Sequence, residues 1–321
     1  MIIVTGAAGF IGSNIVKAIN ERGEDTILAV DDLTDGRKFV NLADRAIADY
    51  MHHEDFRARI RAGEDFGLVS VVFHQGACSD TTEWNGKYMM DTNFEMSKEV
   101  FNWCQARKIP MVYASSAAVY GGTADFREDG TGELPLNVYG WSKLLFDQWL
   151  RRRAGRLTAP VIGLRYFNVY GPREAHKGRM ASVIHHFDKQ LRETGTVRLF
   201  GASHGYDDGE HRRDFVFVDD VVKVNLWAAA GDAPSGIYNV GTGTSRAFND
   251  VARAVIDWHG LGHIDYMPMP ADLEKAYQAF TEADLTALRQ AGYSEPFTPL
   301  EEGVRRTLDA LAQKAGTLPP A

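Results

Sequence analysis

Gly6-Ala7-Ala8-Gly9-Phe10-Ile11-Gly12 places three glycines in a seven-residue stretch directly after the apolar run Ile2-Ile3-Val4. The run suits a buried parallel strand. Gly6 lets the chain turn sharply, Gly9 lets a pyrophosphate approach the main chain, and Gly12 lets the next helix pack closely on the sheet. A helix predicted from Phe10 to Asn20 points free N–H groups at the phosphates. A glycine triplet alone is weak evidence. Lying in a first strand–helix turn, with an acid closing the next strand, it marks a dinucleotide site.

The rest of the first half fits that frame. Residues 26–30, 69–73, 111–114 and 161–164 read as further strands, and Asn93 to Arg107 and Ser142 to Arg153 as helices. The alternation predicts an α/β fold with a doubly wound parallel sheet. A smaller α/β lobe is expected over the carboxyl edge of the sheet. The expected division is a Rossmann cofactor domain over 1–167, rejoined by 212–240, with 168–321 mainly forming the substrate lobe. The tail 317–321 is expected to be loose.

Composition narrows the partners. The 321 residues are 45% hydrophobic and 24% charged, an ordinary globular balance. A net charge of −8 argues against a general nucleic-acid footprint. An anionic substrate must then be met by local cations. Two cysteines, Cys78 and Cys104, fit a reducing cytoplasm better than a disulfide framework. No apolar run approaches the ~20 residues needed to span a membrane. Met1 leads straight into the first strand, so no signal peptide is expected. Adjacent histidines at 52–53 and 185–186 lack metal-ligand spacing, and no metal site is expected.

Asp31-Asp32 closes the second strand. An acid there accepts hydrogen bonds from an adenosine ribose, which favours NAD. Arg37 and Lys38 follow, and either is able to neutralise the 2′-phosphate of NADP, so these residues leave both cofactors open. Tyr139-Gly140-Trp141-Ser142-Lys143 sets Tyr139 and Lys143 on one helical face. A free phenol, with a pKa of about 10, is a poor base at neutral pH; a neighbouring ammonium is expected to lower it. Ser116 ends the strand before this helix and is expected to hydrogen-bond the reacting hydroxyl or ketone.

Together with Arg165-Tyr166-Phe167-Asn168-Val169-Tyr170-Gly171-Pro172, these motifs resemble the extended short-chain dehydrogenase/reductase family, over nearly the whole chain. That family acts largely on nucleotide sugars. A closer resemblance, to its heptose-epimerising branch, rests on Phe73-His74-Gln75-Gly76-Ala77-Cys78-Ser79, Thr81-Thr82-Glu83-Trp84, residues 171–178 and Tyr277-Gln278-Ala279-Phe280-Thr281. It implies NADP, with Lys38 near the adenosine phosphate. It implies Phe10, Ile11, Asp31, Asp32, His53, Gln75, Gly76, Ala77, Cys78, Ser79, Thr92, Lys143, Val169 and Lys177 around the cofactor. Around an ADP-heptose substrate it implies Ser116, Asn168, Arg179, His186, Phe200, Gly201, Ala202, Ser203, Arg213 and Tyr277. Arg213 is assigned to the substrate diphosphate, whose geometry a guanidinium fork matches.

By the same resemblance Lys177 is the second acid/base group beside Tyr139. From its residues alone it reads equally well as a surface lysine. Gln75 stands where the branch has Glu, Arg179 where it has Ser, and the loop from Ser203 to His211 is longer and more acidic. The implied setting is lipopolysaccharide inner-core synthesis by a cytoplasmic homo-oligomer, a pentamer. A hexose 4-epimerase would need no Lys177. A 4,6-dehydratase would need an acidic pair where Ala117-Ala118 stands. A non-catalytic NADP sensor would not need to keep Tyr139 and Lys143.

Overall fold

The computed structural model describes residues 1–270 and 277–315. The tail expected to be loose lies outside them. The first half runs β1 (Ile2–Thr5), α1 (Phe10–Glu21), β2 (Ile27–Asp31), β3 (Asp49–His52), α2 (His53–Arg61), β4 (Val71–His74), α3 (Gly86–Met89), α4 (Met96–Arg107), β5 (Met111–Ser116), α5 (Val138–Arg151) and β6 (Val161–Tyr166). The second half runs β7 (Asn168–Tyr170), α6 (Val183–Thr194), β8 (Thr196–Phe200), β9 (Arg212–Arg213), β10 (Phe215–Phe217), α7 (Val218–Ala229), β11 (Gly236–Val240), β12 (Arg246–Ala247), α8 (Phe248–His259), β13 (His263–Met267), α9 (Thr286–Gln290) and α10 (Leu300–Ala315).

Seven parallel strands form one sheet in the order β11-β6-β5-β4-β1-β2-β3. Alternate side chains of each strand bury on opposite faces. Ile3, Leu28, Val30 and Val72 pack with α2, α4 and α5, while Val4, Ile27, Ala29 and Phe73 pack with α1 and α7. Burial on both faces explains the near-continuous apolar runs read as strands. The chain leaves β1 toward β2 and later returns on the other side through β4. This switch point opens a crevice at the carboxyl ends of β1 and β4.

The short parallel pairs β7–β10 and β8–β13 and the antiparallel pair β9–β12 stand outside the main sheet. Helices α6, α8 and α10 share a third core with Phe215, Phe217 and Tyr170. Strand β3 escaped the sequence reading because this edge strand has one buried residue, Met51. Helix α5 begins at Val138 rather than Ser142, because the Asn137 side chain caps it by accepting from Gly140 N at 2.8 Å. Helix α4 begins at Met96 because Met90–Glu95 is π-helical. No helix among the described residues is long and apolar enough to cross a membrane.

His74, fully buried at the end of β4, bridges Thr5 Oγ1 at 2.8 Å and Ser97 Oγ at 3.0 Å. Burial pulls its pKa down to about 3. The unfolded chain, with histidine near 6.5, therefore takes up this proton first as pH falls. Its contribution is present above about pH 6.5 and is lost progressively toward pH 3. Urea unfolding is expected to show a loss of roughly 2 kcal/mol from this group between pH 7 and pH 5. The loss should shrink in His74→Asn; an equal loss in that variant contradicts the assignment.

Candidate active site

A cavity of about 690 Å³ occupies the crevice. The residues expected around a cofactor all line it: Gly6, Gly9, Phe10, Ile11 and Gly12 after β1, Asp31, Asp32 and Lys38 after β2, and His53 on α2. Gln75, Gly76, Ala77, Cys78 and Ser79 follow β4, and Thr92, Lys143, Val169 and Lys177 complete the set. Ser116, Tyr139 and Asn168 line the same space.

The glycine loop leaves α1 uncapped by any side chain and without an acid in its first turn. Its leading N–H groups are thus available to an anion. A Cβ on Gly12 would stand 2.0 Å from the Gly6 carbonyl oxygen. Gly6, at φ +67°, would bring one within 2.7 Å of Gly76 N, so the β1 and β4 loops meet backbone to backbone. This cradle fits a dinucleotide pyrophosphate.

Asp31 is saturated. It accepts from Ala8 N and Asp32 N, each at 2.7 Å, and pairs with the Lys38 ammonium. Lys38 also donates to Asp32 O at 3.0 Å. Arg37 turns away to Asp35 at 2.7 Å, with its side chain 89% exposed. Of the two cations weighed for the adenosine end, only Lys38 faces the cavity.

On α5, Tyr139 faces the cavity together with Ser116, whose hydroxyl acts to lower the phenol's pKa. Lys143 Nζ donates to Ala114 O at 2.9 Å, and burial pulls its pKa down to about 8. The expected lowering of the Tyr139 pKa is corrected here: burial pushes it above the usual phenol range, and only Ser116 opposes this. The Lys143 ammonium is committed to the strand carbonyl. Ser116 Oγ also accepts from Ala118 N at 3.1 Å, so strand-end turn chemistry and a place in the cavity with Tyr139 coexist.

Lys177 is no loose surface lysine. Glu174, buried, accepts from Ser182 N and Ser182 Oγ, each at 2.6 Å, which closes the loop's base. Arg173, at φ +78°, donates to Asn41 O at 2.6 Å and pairs with Asp44 at 2.7 Å. Held between these anchors, Lys177 Nζ stands 5.1 Å from the Phe10 ring centroid. Burial lowers its pKa, and Glu174, 3.9 Å away, opposes this.

The other residues expected at the substrate do not line this cavity. Phe200, Tyr277, His211 and Arg213 form a separate group: the Arg213 guanidinium lies 4.9 Å from the Tyr277 centroid, and Phe200 and His211 meet that ring edge-on at 6.1 and 5.3 Å. Arg213 is buried, and no carboxylate pairs with it among the described residues. Gly201 N donates to Met267 O at 2.8 Å, Ala202 N to Asp208 Oδ1 at 2.7 Å, and Ser203 Oγ bonds His211 at 2.8 Å. Arg179 pairs with Asp80 at 2.7 Å, and His186 bonds the Arg179 carbonyl at 3.3 Å. The cavity also has lining that was not singled out, including His176, Gln278, Tyr88 and Met180. His176 and Gln278 sit inside the stretches that carried the resemblance; nothing in the sequence marked Tyr88 or Met180.

A glycine cradle, an acid paired with a lysine after the second strand, and a Tyr-x-x-x-Lys helix beside a serine define a nicotinamide-dependent enzyme of the extended short-chain type. Residues 2–241 match the model of the NAD dependent epimerase/dehydratase family, and the chain belongs to that family. It is 58% identical, over 99% of its length and 100% of the relative's, to an ADP-L-glycero-D-manno-heptose-6-epimerase of Alkalilimnicola ehrlichii. The crystal structure of the Helicobacter pylori ADP-L-glycero-D-manno-heptose-6-epimerase matches with TM-score 0.84 and 31% identity, over 97% of this chain and 96% of that one. A Thermus thermophilus UDP-glucose 4-epimerase in complex with NAD matches with TM-score 0.80 and 27% identity, over 97% and 98%.

Proposed function

We propose that the chain is an isomerase that inverts C6″ of ADP-D-glycero-β-D-manno-heptose to ADP-L-glycero-β-D-manno-heptose, with NADP as cofactor, in lipopolysaccharide inner-core heptose synthesis. The observation that carries this reading is the meeting of Tyr139 and Lys177 in one cavity with the glycine cradle. The 58% identity to a curated heptose epimerase supports the substrate.

C6 of the heptose is not acidic, so direct deprotonation is slow. When bound, the cofactor supplies hydride acceptance and return. Oxidation removes the C6 hydrogen as hydride and the hydroxyl proton to a base, leaving a transient 6-ketone. Hydride returned to the opposite face, with a proton to oxygen, gives the inverted alcohol. Two faces call for two acid/base groups. Tyr139, a protonated phenol in the cavity with Ser116, serves one face. Lys177, its pKa lowered by burial, serves the other. Lys143 orients the nicotinamide ribose, Asn168 contacts the sugar nucleotide, and Arg213 meets the diphosphate from the second lobe. A buried guanidinium without a carboxylate partner among the described residues suits that anion. The working assembly is a cytoplasmic homo-oligomer, a pentamer, which sedimentation measures.

Incubation with ADP-D-glycero-β-D-manno-heptose, followed by proton NMR, tests the activity. Inversion at C6″ is expected; inversion of a UDP-hexose at C4 instead gives the runner-up reading. Lys38 carries the cofactor choice. Lys38→Ala is expected to weaken NADP binding about tenfold or more while leaving NAD binding within about twofold. Titration with both nucleotides reads this, and equal losses count against the assignment.

A further inference from the structure

The α5 face that bears Tyr139 and Lys143 continues one turn further, to Asp147. Lys143 and Asp147 both engage β5. Tyr139 shares the cavity with Ser116, Lys143 bonds the Ala114 carbonyl, and Asp147 accepts from Ser115 Oγ at 2.9 Å and Tyr113 Oη at 2.8 Å. Asp147 and Arg165 are both fully buried, and Arg165 Nε donates to the carboxylate at 2.9 Å. Arg165 is held in turn by Tyr120 Oη at 2.9 Å and Glu133 at 2.6 Å. Strand β6 leaves room for this contact. A Cβ on Gly163, which pairs with Tyr113 across the sheet, would stand 2.3 Å from the Tyr113 hydroxyl.

Asp147, Arg165 and Tyr113 do not line the cavity. A buried ion network is also a poor source of stability, because desolvation offsets the attraction and apolar replacements often do as well. It is well suited to fixing one geometry.

We propose that Asp147, clamped by Arg165, Ser115 and Tyr113, is a positioning residue that keeps the Lys143 ammonium charged and seated on β5 beside the Tyr139–Ser116 pair. The inference rests on the epimerase reading for its kinetic consequence only. The charged and titratable groups around Lys143 are few. Asp147 on its own helix and Cys78 on the loop after β4 favour its charge, Asp147 more strongly, while burial opposes it. His74 on β4 stays neutral at working pH. Around Asp147 stand Arg165, Arg151, Glu133 and Tyr113.

In Asp147→Asn the shape remains and the charge is gone, so Lys143 should lose its proton at lower pH. NMR of carbon-labelled lysine in the holoenzyme, with Lys143 assigned by its absence in Lys143→Met, is expected to show titration moved to lower pH by about half a unit or more. The alkaline limb of kcat should move with it while KM for the sugar stays within about twofold. A folded Asp147→Asn whose Lys143 titrates as wild type overturns the proposal. If that variant does not fold, Asp147→Ser decides. It also removes the carboxylate and is expected to shift the Lys143 titration in the same direction; no shift overturns the proposal. The NMR titration needs no sugar substrate, so it stands even if the wild-type protein fails to invert the heptose.

Discussion

Tyr139→Phe is expected to lower epimerisation of the heptose by about 10²- to 10⁴-fold, and Lys177→Met to do the same, with nicotinamide binding retained in the first. The phenylalanine ring refills the same half-buried space and removes only the hydroxyl. Lys177→Met keeps the length of the side chain over Phe10 while deleting the titrating group. Each variant strands the reaction on one face. Either variant alone, given isotopically labelled cofactor, should exchange hydrogen at C6″ without completing inversion. The rate is followed by proton NMR and folding by circular dichroism. Near-normal turnover in both variants rejects the two-face chemistry.

Gly12→Ala is the second large effect. The added methyl would sit 2.0 Å from the Gly6 oxygen, 2.7 Å from the Gly6 carbonyl carbon and 3.1 Å from Ala7 Cα. All three are backbone atoms, so α1 must move away from the loop instead of a side chain swinging aside. Overpacking of this kind costs about 1–3 kcal/mol. A displacement of ~1 Å at the phosphate-facing N–H groups corresponds to about 100-fold in function. Dinucleotide affinity, read by calorimetric titration, is therefore expected to fall about 100-fold or more. Gly9→Ala meets only the Gly6 carbonyl, at 3.0 Å, and should fold normally while its methyl points into the pyrophosphate path. Wild-type affinity in Gly12→Ala would falsify the cradle assignment.

The glycine loop, the strand run and the Tyr139–Lys143 spacing were legible because each is local: a turn that only glycine tolerates, a short unbroken apolar run, and a period of four along a helix. The same locality produced the misreadings. Helix α5 begins four residues early because one asparagine cap at 137 outweighs the loop-like composition before it. Strand β3 was missed because an edge strand has little apolar surface to advertise.

What the sequence by itself determined is the central strands of the sheet, the glycine turn and the candidate residue types of the site, since these follow from nearest neighbours along the chain. The tertiary structure alone decided which charges face the cavity. Lys38 and not Arg37 faces the cavity, Lys177 is held half-buried near Phe10 by anchors at Arg173 and Glu174, and Tyr139 is pushed up rather than down in pKa because burial outweighs the effect of Ser116. Burial and partner geometry set the sign of each of these effects, and both depend on residues tens to hundreds of positions away.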